Sequence, residues 1–353
     1  MVDTEEKLQK FLPVVRAAAW VAVDTEADSL HAYPEKVCLI QISTASSDRL
    51  VDPLAGINLD VLLDSLSGRE LIMHGADYDL RLLLKHHAFV PSSIFDTMLA
   101  ARLLGERHFG LGDLVLKYLS VRLEKGPQKA NWALRPLTER MERYARNDTH
   151  YLKPLEDRLK PDLQAKGRLA WHQESCARLV DECAKPRLPD EDLVWRVKGS
   201  YQLGRPGLAI LREMWRWREA EARAANRPPF FVLSHESMVQ MSAAAAARHS
   251  VEPLLPKYLS ERRKSGLFSA IQNGLNLPPE EHPRVPQRSG RRPTEAERGR
   301  YLELQKHRDL RAAELEIDPT LIASKAILSD LARDRDRYVG ELMNWQRALL
   351  GLD

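Results

Sequence analysis

The sequence is poor in the features that mark secreted and membrane proteins. Three cysteines in 353 residues, Cys38, Cys176 and Cys183, are too few for a disulfide framework, and the last two lack the spacing of a zinc pair. No run of about 18 apolar residues is present, so no membrane-spanning helix is predicted. The first residues are acidic and lack a signal-peptide pattern. These absences predict a cytoplasmic protein that does not contact membranes.

Motifs for three common kinds of chemistry are also missing. Gly110 and Gly112 lack the third glycine and the preceding strand of a nucleotide-binding loop. No cysteine and histidine cluster fits a zinc site, and no motif supports a serine nucleophile with its histidine and aspartate. The sequence therefore gives no support to Walker-type nucleotide binding, to zinc chemistry or to serine-hydrolase chemistry.

The net charge of +3 is distributed unevenly along the chain. Residues 1–186 contain 25 Lys and Arg against 27 Asp and Glu, whereas residues 187–353 contain 28 against 23. An acidic first half and a basic second half would suit a metal enzyme that acts on a polyanion. A solvated surface without functional meaning is the alternative.

Apolar periodicity predicts an α/β domain in the first half of the chain. Short apolar runs predict strands at residues 19–23, 37–43, 50–53 and 71–74. The first three strands are close together in sequence, which favours an antiparallel meander. Helical spacing predicts helices over residues 78–87, 98–104, 111–119 and 139–159. Strands followed by alternating strands and helices predict a mixed sheet flanked by helices.

The second half is predicted to be all-helical and contains an internal repeat. Residues 211–242 align without a gap on residues 301–332, so that Arg218 falls on Arg308 and Ser234 on Ser324. Both serines are predicted to be helix N-caps. The shared order of helix, proline loop, apolar pair and capped helix predicts two copies of one small helical domain.

These patterns divide the chain into three domains and two linkers. The predicted α/β domain contains every proposed metal ligand and is expected to have its own core. The predicted borders are 1–186 for this domain, 187–203 for a linker, 204–278 for the first helical domain, 279–293 for a basic proline-rich linker and 294–353 for the second helical domain.

Three separate segments supply carboxylates to the ends or buried faces of predicted elements. Asp24 and Glu26 lie two residues apart at a predicted strand, and therefore point to one face. Asp79 lies near the start of a predicted helix. Asp148 falls within the apolar stripe of another helix, one turn after Tyr144. A carboxylate on a buried helix face needs a basic partner or a metal ion to compensate it. Because three segments supply such acids, the pattern suggests a divalent-metal site.

The order and surroundings of these acids resemble the ribonuclease D family, within the DEDDy branch of the DnaQ-like 3′–5′ exonucleases. The first motif of that branch matches Val23-Asp24-Thr25-Glu26, followed by the strand Leu39–Ser43. The second matches His74–Leu80, where the usual spacing selects Asp79 as the metal-site acid. The third matches Trp132–Thr138 and the stretch Tyr144–Leu152. The helical repeats resemble the HRDC domains that this family carries in tandem.

The resemblance implies a fold, a reaction and roles for individual residues. It implies a ribonuclease H-like mixed sheet followed by two all-α HRDC-like domains. Two divalent ions, Mg²⁺ or Mn²⁺, would be held by Asp24, Glu26, Asp79 and Asp148, with Asp24 bridging both. Tyr144 would hydrogen-bond the attacking water.

The resemblance also implies a substrate class, although it leaves alternatives open. Trimming of RNA 3′ ends, with tRNA precursors as the usual substrates, is the first interpretation, and release of nucleoside 5′-monophosphates follows from it. Single-stranded DNA is an alternative substrate, as for related repair exonucleases. An inactive scaffold that binds nucleic acid is the third interpretation.

Further residues near the motifs have both a structural and a functional interpretation. His74 is predicted to end a strand in the core, with substrate contact as the alternative. Asp96 is interpreted as a helix N-cap. Lys129 and Arg135 are candidate phosphate contacts or solvated surface residues. Trp132 is interpreted as a core residue, with packing against substrate as the alternative.

Overall fold

The structure is a computed structural model that describes residues 1–185, 190–285 and 292–352. Over these ranges the chain forms two compact units. The first comprises residues 1–27, 37–185 and 292–352, and the second comprises residues 28–36 and 190–285. Within the described ranges, none of the helices combines the length and the apolar composition needed to cross a membrane.

The first unit is built on a five-stranded mixed sheet. Its strands are β1 (Val21–Ala27), β2 (Val37–Ser43), β3 (Asp48–Val51), β4 (Glu70–Met73) and β5 (Ser93–Asp96). The strand order is β3-β2-β1-β4-β5, with β1, β2 and β3 antiparallel and β1, β4 and β5 parallel. The mixed sheet and the antiparallel meander confirm the prediction. Strand β5 was not predicted from the sequence, although β3 and β4, which also contain four residues each, were predicted.

Eight α-helices of the first unit lie within residues 1–185. They are α1 (Glu5–Ala17), α2 (Asp60–Ser67), α3 (Asp77–His87), α4 (Thr97–Leu104), α5 (Leu111–Leu119), α6 (Glu139–His150), α7 (Leu152–Ala165) and α8 (Leu169–Ala184). The prediction of one helix over residues 139–159 is wrong, because Tyr151 separates α6 from α7. Pro154 explains the break, since it has no N–H to donate to the carbonyl of His150 four residues earlier.

The second unit is a small helical domain with its own apolar core. Its helices are α9 (Arg205–Ala224), α10 (His235–Ala246) and α11 (Glu261–Asn276). Residues 190–203, which were predicted to be linker, contribute Trp195, Val197 and Leu203 to this core. Residue 186 of the predicted α/β domain lies outside the described residues, as do residues 187–189 and 286–291 of the two predicted linkers.

The C-terminal helices repeat the internal contacts of the second unit. They are α12 (Glu295–Leu315), α13 (Pro319–Ile322), α14 (Lys325–Arg333), α15 (Arg335–Tyr338) and α16 (Asn344–Leu350). Arg218 is buried, pairs with the acid that follows it and donates to the carbonyl fifteen residues later. Arg308 makes the same two contacts. Ser234 and Ser324 cap α10 and α14, as predicted. These equivalent contacts support the predicted repeat.

The C-terminal helices share a buried apolar cluster with the helices beside the sheet. From the first part of the chain the cluster includes Phe95, Leu104, Leu155 and Leu159, and from the last part Ile322, Leu328, Trp345 and Leu349. Trp345 stacks on Trp171, with ring centroids 5.1 Å apart and planes 15° apart. One of the cores of the predicted domain 1–186 is therefore completed by residues far outside it.

Polar contacts and a close backbone approach hold the same interface together. The Arg168 guanidinium donates to the carbonyls of Leu103 and Leu315, which joins α4 to the end of α12. Gly105 has a φ of +95°, and a Cβ on it would lie 2.3 Å from the carbonyl oxygen of Glu316. Any larger residue at position 105 would force the C-terminal helices away from α4.

Candidate active site

The central strand β1 carries the first two candidate acids. Asp24 and Glu26 lie within the strand, paired in register with Gln41 and Leu39 of β2. The strand continues past both residues, and its pairing shifts between Glu26 and Ala27. Both carboxylates point to the same face, because side chains alternate along a strand. Each residue is half-buried.

Parallel pairing of β1 with β4 brings Asp79 to these acids. The chain leaves β4, turns through His74, Gly75 and Ala76, and enters α3, whose first turn contains Asp79. Asp79 Oδ1 accepts a hydrogen bond from the backbone N–H of Thr25 at 3.1 Å and another from the Thr25 hydroxyl. Thr25 therefore fixes a buried carboxylate directly beside the acidic segment of β1.

Helix α6 carries Tyr144 and Asp148 to the same region. Its buried side, which includes Met141, Ala145 and Thr149, faces the sheet. The Ser43 hydroxyl donates to Thr149 Oγ1 at 2.7 Å and thereby attaches the helix to β2. One turn apart on this helix, the Tyr144 hydroxyl donates a hydrogen bond to the Asp148 carboxylate.

The pKa values of the four carboxylates are all raised. Burial raises the pKa of Asp24 well above its usual range, and the charges of Asp79, Asp148 and Glu26 raise it further. Burial, followed by the charges of Asp148 and Asp79, raises the pKa of Glu26 to about 9. Burial likewise raises the pKa of Asp148 to about 7 and that of Asp79 to about 6. The shifts show that four acids repel one another in a poorly solvated space.

This donor set fits a divalent cation. Within the described ranges, no three His, Cys, Asp or Glu side chains already stand in the geometry of a finished metal shell. Asp148 Oδ2, however, is buried and accepts no hydrogen bond. An unsatisfied carboxylate oxygen among like charges has the chemistry of a metal ligand, and a set made only of carboxylate oxygens suits Mg²⁺ or Mn²⁺.

Asp96 forms the framework behind Asp79. It is fully buried, ends β5 and caps α4 through the N–H groups of Met98 and Leu99. Its two carboxylate oxygens also accept the N–H groups of Gly75 and Ala76, at 3.0 and 2.9 Å. The interpretation of Asp96 as an N-cap is confirmed, and the same side chain also holds the turn that leads into α3.

Replacing Asp96 by alanine is therefore expected to harm both stability and activity. Asp96→Ala leaves buried N–H groups in two segments without an acceptor, which should lower the free energy of unfolding by about 3 kcal/mol. Thermal unfolding and hydrolysis rates measured well below Tm would separate the two effects. Asp96→Asn, which keeps one side-chain acceptor, should lose less stability than alanine. An unchanged Tm for Asp96→Ala would contradict this role.

Two residues that were considered for substrate contact have structural roles. Trp132 is fully buried, packs in a cluster with Leu39 and Met141, and lies 6.1 Å from Tyr144 between ring centroids. Its interpretation as a core residue holds, and substrate cannot reach it. Arg135 directs its guanidinium to both oxygens of Asp52, at 2.6 Å each, and to three backbone carbonyls. All five of its N–H groups have acceptors, which rules out the predicted phosphate contact in this conformation.

The remaining two candidates lie at different depths. His74 is half-buried, and its Nδ1 lies 2.8 Å from the Thr97 hydroxyl, which itself donates to the carbonyl of Met73. Burial lowers the pKa of His74, so the ring is neutral at neutral pH and donates from Nδ1 to Thr97. Lys129 is exposed on the segment between α5 and α6. Both remain proposed substrate contacts.

Sequence reasoning missed three residues that position the candidate site. Thr25 lies between the two acids of β1 but was treated only as a spacer. The Gln128 side chain is hydrogen-bonded to Tyr144. A Cβ on Gly126 would lie 1.5 Å from Cδ2 of Tyr144, so the backbone at Gly126 lies against the tyrosine ring. No local pattern reveals these contacts, because each joins segments that meet only in the fold.

Comparison with known proteins assigns the family. The profile of a 3′-5′ exonuclease domain matches residues 1–164, and that of the HRDC domain matches residues 207–249. Ribonuclease D of Zymomonas mobilis is 30% identical over 345 residues, which cover 95% of this chain and 87% of that protein. The chain belongs to the ribonuclease D family. It is accordingly a 3′–5′ exoribonuclease, as the resemblance implied.

Solved structures share the fold of this chain. The structure of Escherichia coli RNase D superimposes with a TM-score of 0.75 at 23% identity, covering 99% of this chain and 98% of that one. The catalytic core of RRP6 from Trypanosoma brucei gives a TM-score of 0.66 at 27% identity, with 77% of each chain covered. These likenesses confirm the predicted fold, a ribonuclease H-like mixed sheet with a helical HRDC region.

Proposed function

We propose that this exoribonuclease shortens RNA from its 3′ hydroxyl in a reaction that depends on two divalent ions, Mg²⁺ or Mn²⁺. The supporting observation is the group of four mutually repelling carboxylates, Asp24, Glu26, Asp79 and Asp148, in which one buried Asp148 oxygen lacks a partner. These four residues are the proposed metal ligands. Bound ions of this kind supply a nucleophilic water and stabilise the leaving oxygen.

Tyr144 is proposed to orient the attacking water. Its hydroxyl donates to Asp148, and burial together with the charges of Asp148 and Glu26 raises its pKa above the usual range. The phenol therefore keeps its proton at neutral pH. A group that stays protonated positions water by hydrogen bonding and does not act as the general base.

The proposed substrates are structured RNAs such as tRNA precursors, cleaved in the cytoplasm. Several curated relatives that match almost the whole chain are named ribonuclease D, which supports RNA over DNA. The basic balance of residues 187–353 supports a long polyanionic substrate. The three cysteines are all free and buried, as suits a reducing compartment.

The direction of cleavage provides the test. With Mg²⁺ or Mn²⁺, the protein is expected to release nucleoside 5′-monophosphates one at a time from RNA with a 3′ hydroxyl. Excess EDTA should stop the reaction, and a 3′-phosphate should block it, because the terminal hydroxyl is recognised beside the carboxylates. Chromatography of products from 3′-extended tRNA and from single-stranded DNA would measure direction and preference together. Efficient cutting of circular RNA would contradict the proposal.

A further inference from the structure

A second feature of the catalytic unit is a basic cavity beside Tyr144. Its volume is about 300 Å³, which is at the lower end for ligand sites. It is lined by residues 121–126 and by Arg140, Arg143, Tyr144, Asn147 and Tyr151. One wall is therefore the segment after α5, and the other is one face of α6.

The spacing of residues along α6 explains the second wall. Arg143, Tyr144 and Asn147 follow Arg140 by three, four and seven residues and so share one helix face with it. This face differs from the one that Met141 and Ala145 bury. Arg140 Nη2 donates to the carbonyl of Lys125 at 3.0 Å and ties the opposite wall to the helix.

Tyr144 belongs both to the cavity and to the carboxylate site. Its hydroxyl donates to Asp148, whereas its ring contacts the backbone at Gly126 and lines the cavity. A strand of RNA that presents its 3′ end to the carboxylates therefore has this cavity as an immediate neighbour.

The charge of the cavity fits a polyanion. Four cationic side chains line it, against the single acid Glu124. Across the described residues, Arg122, Lys125 and Arg143 form no ion pair with an acidic side chain, and all three are exposed. Cations that share a cavity without acidic partners repel one another, and phosphate groups relieve that repulsion.

We propose that this cavity binds the RNA backbone directly 5′ of the scissile bond, with Arg122 and Arg143 contacting its phosphates. The inference rests on the proposed 3′-end hydrolysis and adds a subsite for the strand that remains bound between cleavage steps. Arginine suits such a contact, because its planar donors match phosphate oxygens.

Substrate length tests the proposal. A dinucleotide contains only the scissile phosphate, whereas an octanucleotide also extends into the cavity. Arg122→Gln and Arg143→Gln should each raise KM for the octanucleotide about tenfold, with the change in KM and not in kcat. KM for the dinucleotide should change much less. The salt dependence of octanucleotide binding should fall by about 0.7 in log–log slope for each lost contact.

Arg158→Gln is the matched control, because Arg158 is exposed on α7, carries the same charge and does not line the cavity. Its KM for both substrates should equal that of the unmodified protein. An unchanged octanucleotide KM in the Arg122→Gln, Arg143→Gln double variant would overturn the proposal. An equally large rise in KM for the dinucleotide would overturn it as well. So would an equally large rise in KM in the Arg158→Gln variant. Failure of the unmodified protein to cleave either substrate with Mn²⁺ would instead refute the proposed function.

Discussion

Asp24→Asn is expected to lose hydrolysis of RNA almost completely while the protein becomes more stable in chelator. Asp24 is the carboxylate whose pKa is raised by all three other acids, so it lies at the electrostatic centre of the group. Asparagine has nearly the same shape but no charge with which to hold a cation. Loss of several kcal/mol of transition-state stabilisation corresponds to a reduction of the rate by a factor of about a thousand or more.

The gain in stability has the same physical origin as the loss of activity. In the metal-free protein, folding places the Asp24 carboxyl in a desolvated position next to three other acids, and the neutral amide avoids that cost. A gain of 1 kcal/mol corresponds to about 2–4 °C in Tm for a unit of this size. Calorimetry would measure Tm of the variant and of the unmodified protein, first in EDTA and then in Mn²⁺.

Metal binding should distinguish the variant from the unmodified protein without any activity measurement. Mn²⁺ stabilises only a folded state that binds it, so it should raise Tm of the unmodified protein and leave Asp24→Asn nearly unchanged. Asp64→Asn, an exposed acid on α2, is the matched control and should behave like the unmodified protein. Equal Tm increases in Mn²⁺ for all three proteins would refute the metal site.

Trp345→Ala is expected to destabilise the unit that contains the exonuclease domain, although Trp345 lies almost two hundred residues after the last proposed catalytic residue, Asp148. The side chain is 5% exposed, stacks on Trp171 and belongs to the cluster shared with α4 and α7. Removing a buried tryptophan costs about 3–5 kcal/mol, because the cavity that remains is only partly refilled. The expected fall in Tm is about 10 °C. The temperature at which activity on short RNA is lost should fall by the same amount.

A chain that ends at residue 185 should fail more severely. The sequence predicted that residues 1–186 contain every proposed metal ligand and have their own core. Truncation would remove the partners of Trp171 and the Leu315 carbonyl that accepts from Arg168, and would expose the shared cluster to water. Aggregation or the absence of a cooperative transition is the expected result.

Leu302→Ala provides the control for both experiments. Leu302 belongs to the same C-terminal helices but is 63% exposed on α12, so its loss should change stability by at most about 0.5 kcal/mol. A truncated chain that keeps the full Tm and full activity on short RNA would show that the shared cluster is not needed for folding.

The sequence predicted the parts of this protein that local patterns encode. Alternation and acid spacing along one strand identified Asp24 and Glu26, and helical spacing placed Tyr144 and Asp148 one turn apart. The family resemblance added Asp79, whose own surroundings carry little signal. The serine caps and the buried arginines of the repeat were visible because the same pattern occurs twice.

Only the tertiary structure decided how distant segments use their polar groups. Arg135 looked like a free cation until the fold brought Asp52 to it, and Asp96 looked like a simple cap until β5 was seen beside β4. Contacts between distant segments also form the core shared with the C-terminal helices and the basic cavity beside Tyr144. A sequence determines local propensity and chemical type, whereas burial and pairing depend on contacts between residues far apart in the chain.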